Sequence, residues 1–144
     1  MASISRNALV PFSAAQMYLL VDDIERYDQF LPWCSGTEVI SRDEDEVRAT
    51  INISKAGFNK RFSTCNRMQH NKMIEIRLLE GPFKHLEGYW RFDALAEDAC
   101  KVTLDLQFEF SNKLIGMTFG PVFGQIAGSL MDAFMNRAKQ VYGK

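Results

Sequence analysis

The sequence VTLDLQFEF at residues 102–110, followed by a long apolar tail at residues 113–142, decides the fold. In the first segment apolar and polar residues alternate, which is typical of a strand with one buried face. In the tail the period changes, because large apolar residues recur every three or four positions and predict a long amphipathic helix. This helical stripe consists of Phe119, Phe123, Ile126, Leu130, Phe134, Ala138 and Val141. A sheet with one apolar face needs a cover, and this helix is the candidate.

Upstream of this segment, residues 36–101 alternate in the same way and are interrupted by short turns, which predicts an antiparallel meander. Strands are expected at residues 3–10, 38–41, 47–54, 58–68, 74–78, 85–93 and 102–110. Two short helices are expected after the first strand, the first capped by Ser13 and the second ended by Leu31-Pro32. The predicted fold class is α+β, with one domain over residues 1–144 and a curved antiparallel sheet wrapped around the long C-terminal helix.

Composition restricts the class of protein. The chain has 144 residues with a formal net charge of −1, so no global field draws it to nucleic acid or anionic lipid. Its cysteines, Cys34, Cys65 and Cys100, are odd in number and widely spaced, which favours reduced thiols in a cytoplasmic protein. The uncharged run at residues 114–131 is near the minimum length for a bilayer span. Its glycines, proline and polar residues favour instead a lid that touches lipid or an apolar ligand.

Glycines recur at every fourth position in that run, at Gly116, Gly120, Gly124 and Gly128. Each glycine inside a helix costs roughly 1 kcal/mol relative to alanine. Three interpretations stay open: close contact between the helix and the sheet, a loop before a helix that begins near Pro121, or space left for a ligand or a mobile gate.

Three segments carry a family resemblance. They are Leu31-Pro32-Trp33-Cys34, the block GPFKHLEGYWRF at residues 81–92, and MDAF at residues 131–134 with Arg137-Ala138 close behind. Together they resemble the coenzyme Q-binding family of the START-like, or polyketide-cyclase-like, superfamily, whose bacterial branch includes the ribosome-association toxins (RatA). The resemblance extends over essentially the whole chain. It implies a helix-grip fold with a long apolar cavity.

The resemblance also implies partners. For the mitochondrial members the implied ligand is ubiquinone or another polyisoprenoid, bound without catalysis in support of respiratory quinone function. For the toxin branch it implies binding to the large ribosomal subunit and blocked subunit joining. The leading interpretation is quinone or lipid binding and the alternative is ribosome association. A cytoplasmic location with peripheral contact to the inner membrane suits both, and no DNA partner is expected.

The inward positions of the predicted sheet and helix are the candidate ligand cavity. They are Ile51, Ile53, Phe62, Ile76, Leu78, Trp90, Phe92, Leu104, Leu106, Phe108, Phe119, Phe123, Ile126, Leu130 and Phe134. Trp33 and Phe83 fall in expected loops, where large apolar groups are unusual, and are placed at the cavity mouth. A quinone head group needs a hydrogen-bond donor, and the sequence leaves Trp90, Tyr89, His85 and Asn66 as candidates.

Catalytic chemistry finds little support in the sequence. His70 and His85 lack metal-ligand spacing, and Cys34 has no paired base, so neither a metal nor a catalytic cofactor is expected. A cyclase-like enzyme remains a lesser alternative by analogy with the superfamily, and it would require a buried acid or base inside the sheet. The alternation instead places the nearby carboxylates outside: Glu75, Glu87, Asp105 and Glu109.

A basic stretch is the remaining electrostatic feature. Between Val47 and Ile74 the sequence has no acidic residue. The basic residues there are Arg48, Lys55, Lys60, Arg61, Arg67 and Lys72. They are either solvated strand positions or a basic face that contacts ribosomal RNA or an anionic membrane.

Overall fold

The structure is a computed structural model that describes residues 2–143. Its strands are β1 (Ala2–Val10), β2 (Cys34–Arg42), β3 (Glu46–Lys55), β4 (Phe58–Gln69), β5 (Met73–Glu80), β6 (Phe83–Ala96) and β7 (Ala99–Phe110). Its helices are α1 (Ala14–Asp22), a 3₁₀ helix (Ile24–Gln29), α2 (Lys113–Thr118) and α3 (Gly120–Tyr142). The strands form one antiparallel sheet in the order β1-β7-β6-β5-β4-β3-β2. The expected α+β architecture, with a sheet gripping a long C-terminal helix, is confirmed.

The two short helices connect the opposite edges of the sheet, since β1 and β2 are its edge strands. A capping box starts α1: the Ser13 hydroxyl accepts from the Gln16 amide at 3.0 Å, and Gln16 Oε1 accepts from the Ser13 amide at 2.9 Å. Arg42 on β2 then binds Asp22 at 2.6 Å and Glu25 at 2.9 Å. These contacts hold the helical segment against the β2 edge.

The apolar tail forms two helices instead of the single helix that its periodicity predicts. The break falls at Phe119, because Pro121 has no amide hydrogen to donate to the carbonyl of Met117. Most of the predicted stripe is buried, but Val141 is 49% exposed and is a correction to it. Among residues 2–143, no helix combines the length and the hydropathy that crossing a membrane requires.

Two aromatic clusters fix α3 to the inner face of the sheet, which is the face toward the helix. At the start of α3, the Phe123 ring lies 4.9 Å from Phe83 and 4.9 Å from Phe108, between ring centroids. Further along α3, the Phe134 ring lies 5.1 Å from Trp90 and 5.4 Å from Tyr27. Edge-on pairs of this kind stabilise a core beyond their buried area.

The glycine row lies away from the interior space beneath α3. A methyl group added at Gly116 or Gly120 would meet the Phe110 ring at 3.8 or 3.5 Å, and one at Gly128 would meet Arg6 at 3.6 Å. At Gly124 such a group would meet nothing within 4 Å. The row therefore lies where α2 and α3 approach β7 and β1, and Gly116, Gly120 and Gly124 line an open groove on that side of the molecule and not the interior cavity.

Gly88, in contrast, is required by the sheet itself. It pairs with Ile76 on β5 and with Leu106 on β7. A Cβ atom at this position would lie 2.0 Å from the Asp105 carbonyl oxygen and 2.9 Å from the Leu106 Cα. Both are backbone atoms, so only a shift of β7 relieves the clash, and the close approach of the two strands depends on glycine.

We predict that Gly88→Ala and Gly124→Ala change stability in opposite directions. Gly88→Ala should lower the free energy of unfolding by roughly 1–3 kcal/mol, because the new methyl group displaces β7. Gly124→Ala should raise it by about 0.5–1 kcal/mol, because alanine restricts the unfolded chain without a clash. Urea denaturation followed by circular dichroism measures both, and a neutral Gly88→Ala would contradict the described register.

Candidate ligand-binding cavity

An internal cavity of about 90 Å³ lies between the inner face of the sheet and the helices. The sheet residues that line it are Trp33, just before β2, and Ile51, Ile53, Phe62, Thr64, Asn66, Ile74, Ile76, Leu86, Trp90 and Leu106. The helical residues that line it are Val21, Ile24, Tyr27, Phe123, Ile126, Ala127, Leu130 and Phe134. The α3 positions follow the helical repeat, and the strand positions share the inner face.

Ten of the fifteen predicted cavity residues line this space. They are Ile51, Ile53, Phe62, Ile76, Trp90, Leu106, Phe123, Ile126, Leu130 and Phe134. This placement concerns geometry alone, and their role in ligand binding stays a prediction. Trp33 also lines the cavity, but as a buried side chain and not at a mouth.

Five predicted cavity residues lie elsewhere: Leu78, Phe92, Leu104, Phe108 and Phe119. Phe92 packs against Tyr18 of α1 at 5.8 Å, so it belongs to the core beneath α1. Phe108 and Phe119 join the aromatic cluster around Phe123. Leu104 is fully buried and Leu78 is partly exposed. Alternation predicts the face of a strand correctly but not the position along it at which the helix leaves a gap.

The prediction that Phe83 lies at the cavity mouth is also corrected, since this residue is buried and does not line the cavity. Its ring stacks on Phe110 at 5.1 Å and meets Phe62 edge-on at 5.8 Å. The residue is not in a loop, because β6 begins with it. A large apolar residue there is part of the sheet core and needs no ligand to explain it.

Sequence reasoning missed the lining residues that come from the first helices. Val21, Ile24 and Tyr27 recur every third position, but they lie on two different helices, so no single periodic stripe identifies them. It also missed Ala127, whose short side chain leaves room between Ile126 and Leu130. The spacing of Ala127 from Phe123 and Phe134 places it on the same helical face, which is the signal that could have found it.

The polar groups of the cavity are few and mostly paired. The Tyr27 hydroxyl donates to the Val21 carbonyl oxygen, and burial, with a smaller contribution from Asp22, raises the pKa of this phenol. Thr64 donates to Asn66 Oδ1 at 3.0 Å. Among the described residues, the buried Nε1 of Trp33 has no hydrogen-bond partner.

Two of the four candidate head-group donors line the cavity, Trp90 and Asn66. Tyr89 and His85 do not, because their positions on β6 face away from the helix. The Tyr89 ring instead has the Arg91 guanidinium 5.9 Å from its centroid. The choice between Trp90 and Asn66 stays open on this placement alone.

The cavity has no evident acid–base machinery. Within the described part of the chain, its lining holds no carboxylate, imidazole, thiol or amine. Cys34 lies nearby, but its Sγ contacts the Gly36 carbonyl oxygen at 3.6 Å and burial raises the pKa of its thiol. The lining likewise omits the four carboxylates expected outside, and one of them, Glu109, is 3.7 Å from Lys84 Nζ. Nothing in this lining resembles a general acid paired with a base.

The predicted basic face is not one surface, and this is a correction. Neighbouring residues of a strand point to opposite faces, so Arg61 lies on the outer face, away from α3, and Lys60 lies on the inner one. By the same alternation and the β3–β4 register, the outer face also holds Arg48 and Arg67. By the same alternation, Lys55 lies on the inner face of β3. Lys72 lies on neither face, because it is in the turn before β5.

Acidic residues reduce the charge of the outer face. Glu46 accepts from Arg48 at 2.9 Å, and the contact lowers the pKa of the Glu46 carboxyl. Arg67 lies opposite Glu46 on β3 and opposite Glu75 on β5. Residues 48–73 contain no acidic residue in the sequence, but in the folded sheet Arg48 and Arg67 lie close to glutamates of neighbouring positions and strands. Arg61, opposite Asn52, is the basic residue least affected by them.

Comparison with known proteins places this geometry in a family. The family model described as polyketide cyclase / dehydrase and lipid transport matches residues 10–135. Among solved structures, the 18 kDa protein CC1736 from Caulobacter crescentus aligns with a TM-score of 0.76 and 28% identity over 100% of both chains. TTHA0849 from Thermus thermophilus aligns with a TM-score of 0.82 and 19% identity over 97% of this chain and 99% of its own. The latter likeness establishes the fold alone.

Curated relatives cover the chain from end to end. The ribosome association toxin RatA of Vibrio cholerae is 48% identical over 100% of both chains. The protein of the same name from Escherichia coli is 46% identical over 99% of this chain and 90% of its own. The mitochondrial coenzyme Q-binding protein COQ10 homolog B of Xenopus laevis is 26% identical over 97% of this chain and 59% of its own. The chain therefore belongs to the START-like polyketide cyclase/dehydrase and lipid transport family, in the branch of the RatA and coenzyme Q-binding proteins.

Proposed function

We propose that this protein is a non-catalytic binding protein that associates with the ribosome. The observation that carries the proposal is the alignment, at 46–48% identity and over 99–100% of this chain, with relatives named ribosome association toxin. The finer expectation is binding to the large subunit and blocked subunit joining. A ribosomal target would place the protein in the cytoplasm. No catalytic step or catalytic cofactor is assigned, since the described cavity lining offers no acid–base pair.

The outer face of the sheet offers a surface for this contact. Arg61 and Arg67 lie on it, both exposed, and within residues 2–143 neither forms an ion pair shorter than 4.0 Å. Free guanidinium groups bind phosphate oxygens through two parallel hydrogen bonds. Because the net charge is only −1, binding to RNA would depend on such local contacts and would weaken steeply with salt.

We predict that neutralising this face weakens ribosome binding. In the double variant Arg61→Gln, Arg67→Gln, the retention of the protein in ribosomal fractions of a sucrose gradient should fall about tenfold at moderate salt. The slope of log affinity against log salt should decrease by roughly 1–2, because two phosphate contacts are lost.

The matched control is Lys113→Gln, Lys139→Gln, which removes the same charge from exposed positions on α2 and α3. It should behave like the unmodified protein. Equal loss in both double variants would indicate a non-specific charge effect, and no loss in either would remove the outer face from the proposal.

A second candidate function is the binding of an apolar ligand, ubiquinone or another polyisoprenoid, in support of respiratory quinone function. It is favoured by the apolar cavity and by the relative named for coenzyme Q binding. The room of about 90 Å³ is small beside the roughly 300–1,000 Å³ of drug-sized pockets. A polyprenyl tail would therefore require α3 to move away from the sheet. Collection of such a ligand would bring the protein to the inner membrane surface.

We predict that Ala127→Leu abolishes binding of apolar ligands while the fold is kept. Ala127 lines the cavity on α3, so the larger side chain fills the space that a ligand would occupy. The free energy of unfolding should stay within about 1 kcal/mol of the unmodified value, because the added carbons enter a void. Calorimetric titration with a short-chain ubiquinone measures binding, and chemical denaturation measures stability.

The control is Ala15→Leu on α1, where the side chain is exposed and away from the cavity. It should leave the titration unchanged. Undiminished quinone binding by Ala127→Leu would show that the ligand lies elsewhere, and the cavity proposal would then be wrong.

A further inference from the structure

We propose that the cavity selects a neutral ligand, about the size of one ring, whose hydrogen-bond acceptor meets the indole N–H of Trp33. This inference rests on the ligand-binding part of the proposed function and narrows it. It names the chemical class of the ligand and the residue that orients it. Three properties of the cavity support it: an unpaired donor, the absence of charge in the described lining, and its size.

The unpaired donor is the indole nitrogen of Trp33. The residue is only 6% exposed and lines the cavity, and its Nε1 has no partner among the described residues. Buried polar groups in folded proteins are nearly always hydrogen-bonded, and buried tryptophan usually finds an acceptor for its N–H. The other buried group without a partner, Thr103 Oγ1, lies outside the cavity lining. Trp33 therefore lines the cavity and carries a buried donor that the described residues leave unsatisfied.

The backbone around Trp33 is held in place, so this donor is preorganised. The Trp33 carbonyl oxygen accepts from the Ser54 amide on β3 at 2.8 Å. The amide of Cys34 donates to the Leu31 carbonyl oxygen at 2.9 Å, which closes the turn through Pro32. With both sides of the residue tied, its backbone has a defined position relative to the sheet, and burial restricts the indole side chain. Binding of a ligand then costs little free energy for ordering the Trp33 side chain.

The remaining polar groups offer a second donor to a ligand that carries an acceptor. The Tyr27 hydroxyl is committed to the Val21 carbonyl oxygen, and the Thr64 hydroxyl to Asn66 Oδ1. What remains on Asn66 is its amide N–H₂ group, a second donor. Since the described lining carries no charged side chain, a charged ligand would be buried without compensation, at high cost. A ketone, quinone or ether oxygen on a neutral apolar body fits these groups.

Cavity size restricts the body of the ligand. The space of about 90 Å³ is smaller than the engineered apolar cavity of roughly 150 Å³ that holds benzene. One substituted ring fits this scale with small side-chain adjustments. An extended isoprenoid tail does not, so the ring end of a ligand is the part that this cavity recognises.

A pair of ring compounds of matched shape tests the inference: acetophenone, which carries a carbonyl acceptor, and isopropylbenzene, which lacks one. Each is titrated into the full-length protein and into Trp33→Phe, which keeps an aromatic ring but removes the donor. The substitution should weaken acetophenone binding about tenfold and change isopropylbenzene binding less than about twofold. Because the change of wall shape affects both compounds alike, the ratio of the two effects isolates the hydrogen bond.

The indole resonances give a second measurement that does not need the variant. The chain has two tryptophans, Trp33 and Trp90, and both line the cavity. In a nitrogen–proton spectrum of the unmodified protein, acetophenone should move the Nε1–H signal of Trp33 downfield, whereas isopropylbenzene should not. Trp90→Phe assigns the two signals. If Trp33→Phe does not fold, this spectrum decides the question.

The outcomes separate the inference from the proposal beneath it. If neither compound binds, the apolar-ligand function itself is wrong. If both bind and Trp33→Phe changes them equally, with no downfield shift, the cavity binds ligands but Trp33 does not select them. A selective loss of acetophenone binding with the shift present supports both.

Discussion

The contact of α3 with the inner face of the sheet is the interaction on which the rest of this structure depends. Two aromatic side chains make it, Phe123 and Phe134, eleven positions and about 16 Å apart along the helix. Each is surrounded by rings from the sheet or from the first helices. Between these two anchors the helix presents Ala127, a short buried side chain that lines the cavity. A gap beneath the helix follows from this arrangement of large and small residues.

The same arrangement determines what the interior can do. Its walls are apolar rings and branched chains, and its few hydroxyl groups are bound to neighbouring protein atoms. In such surroundings a hydrogen-bond donor without a partner is costly, so Trp33 matters more than its single N–H group would suggest. Catalysis on this fold would need a titratable group in the cavity wall, and the described lining supplies only a tyrosine whose pKa burial raises.

The exterior follows different rules from the interior. On the outer face, Arg67 of β4 lies opposite a glutamate on each neighbouring strand, and cross-strand pairing offsets part of its charge. A ribosomal contact on this face would depend on individual guanidinium groups such as Arg61 and less on a general positive field. Cavity and outer face lie on opposite sides of the sheet, so ribosome association and ligand binding would use separate residues.

Much of the fold follows from the sequence alone, because strand and helix periods are local properties. The alternation in VTLDLQFEF, the capping role of Ser13 and the apolar repeat of residues 119–138 are each determined by neighbours within a few positions. The resemblance to the family branch also comes from short segments. The most specific of them is GPFKHLEGYWRF, in which a turn is followed by a strand. The alternation of a strand even predicts that Lys60 and Arg61 lie on opposite faces of the sheet. A prediction based only on the number of basic residues misses this.

Only the tertiary structure decided which inward residues face empty space and which fill it. Leu104, Phe108 and Leu106 belong to one strand face, yet only Leu106 borders the cavity, because the gap depends on where the helix anchors fall across the sheet. The unpaired indole of Trp33 is likewise invisible in the sequence, since the absence of a partner is a property of everything packed around it. Local periodicity determines faces, whereas the positions of voids and unsatisfied groups depend on distances between segments that are remote in the chain.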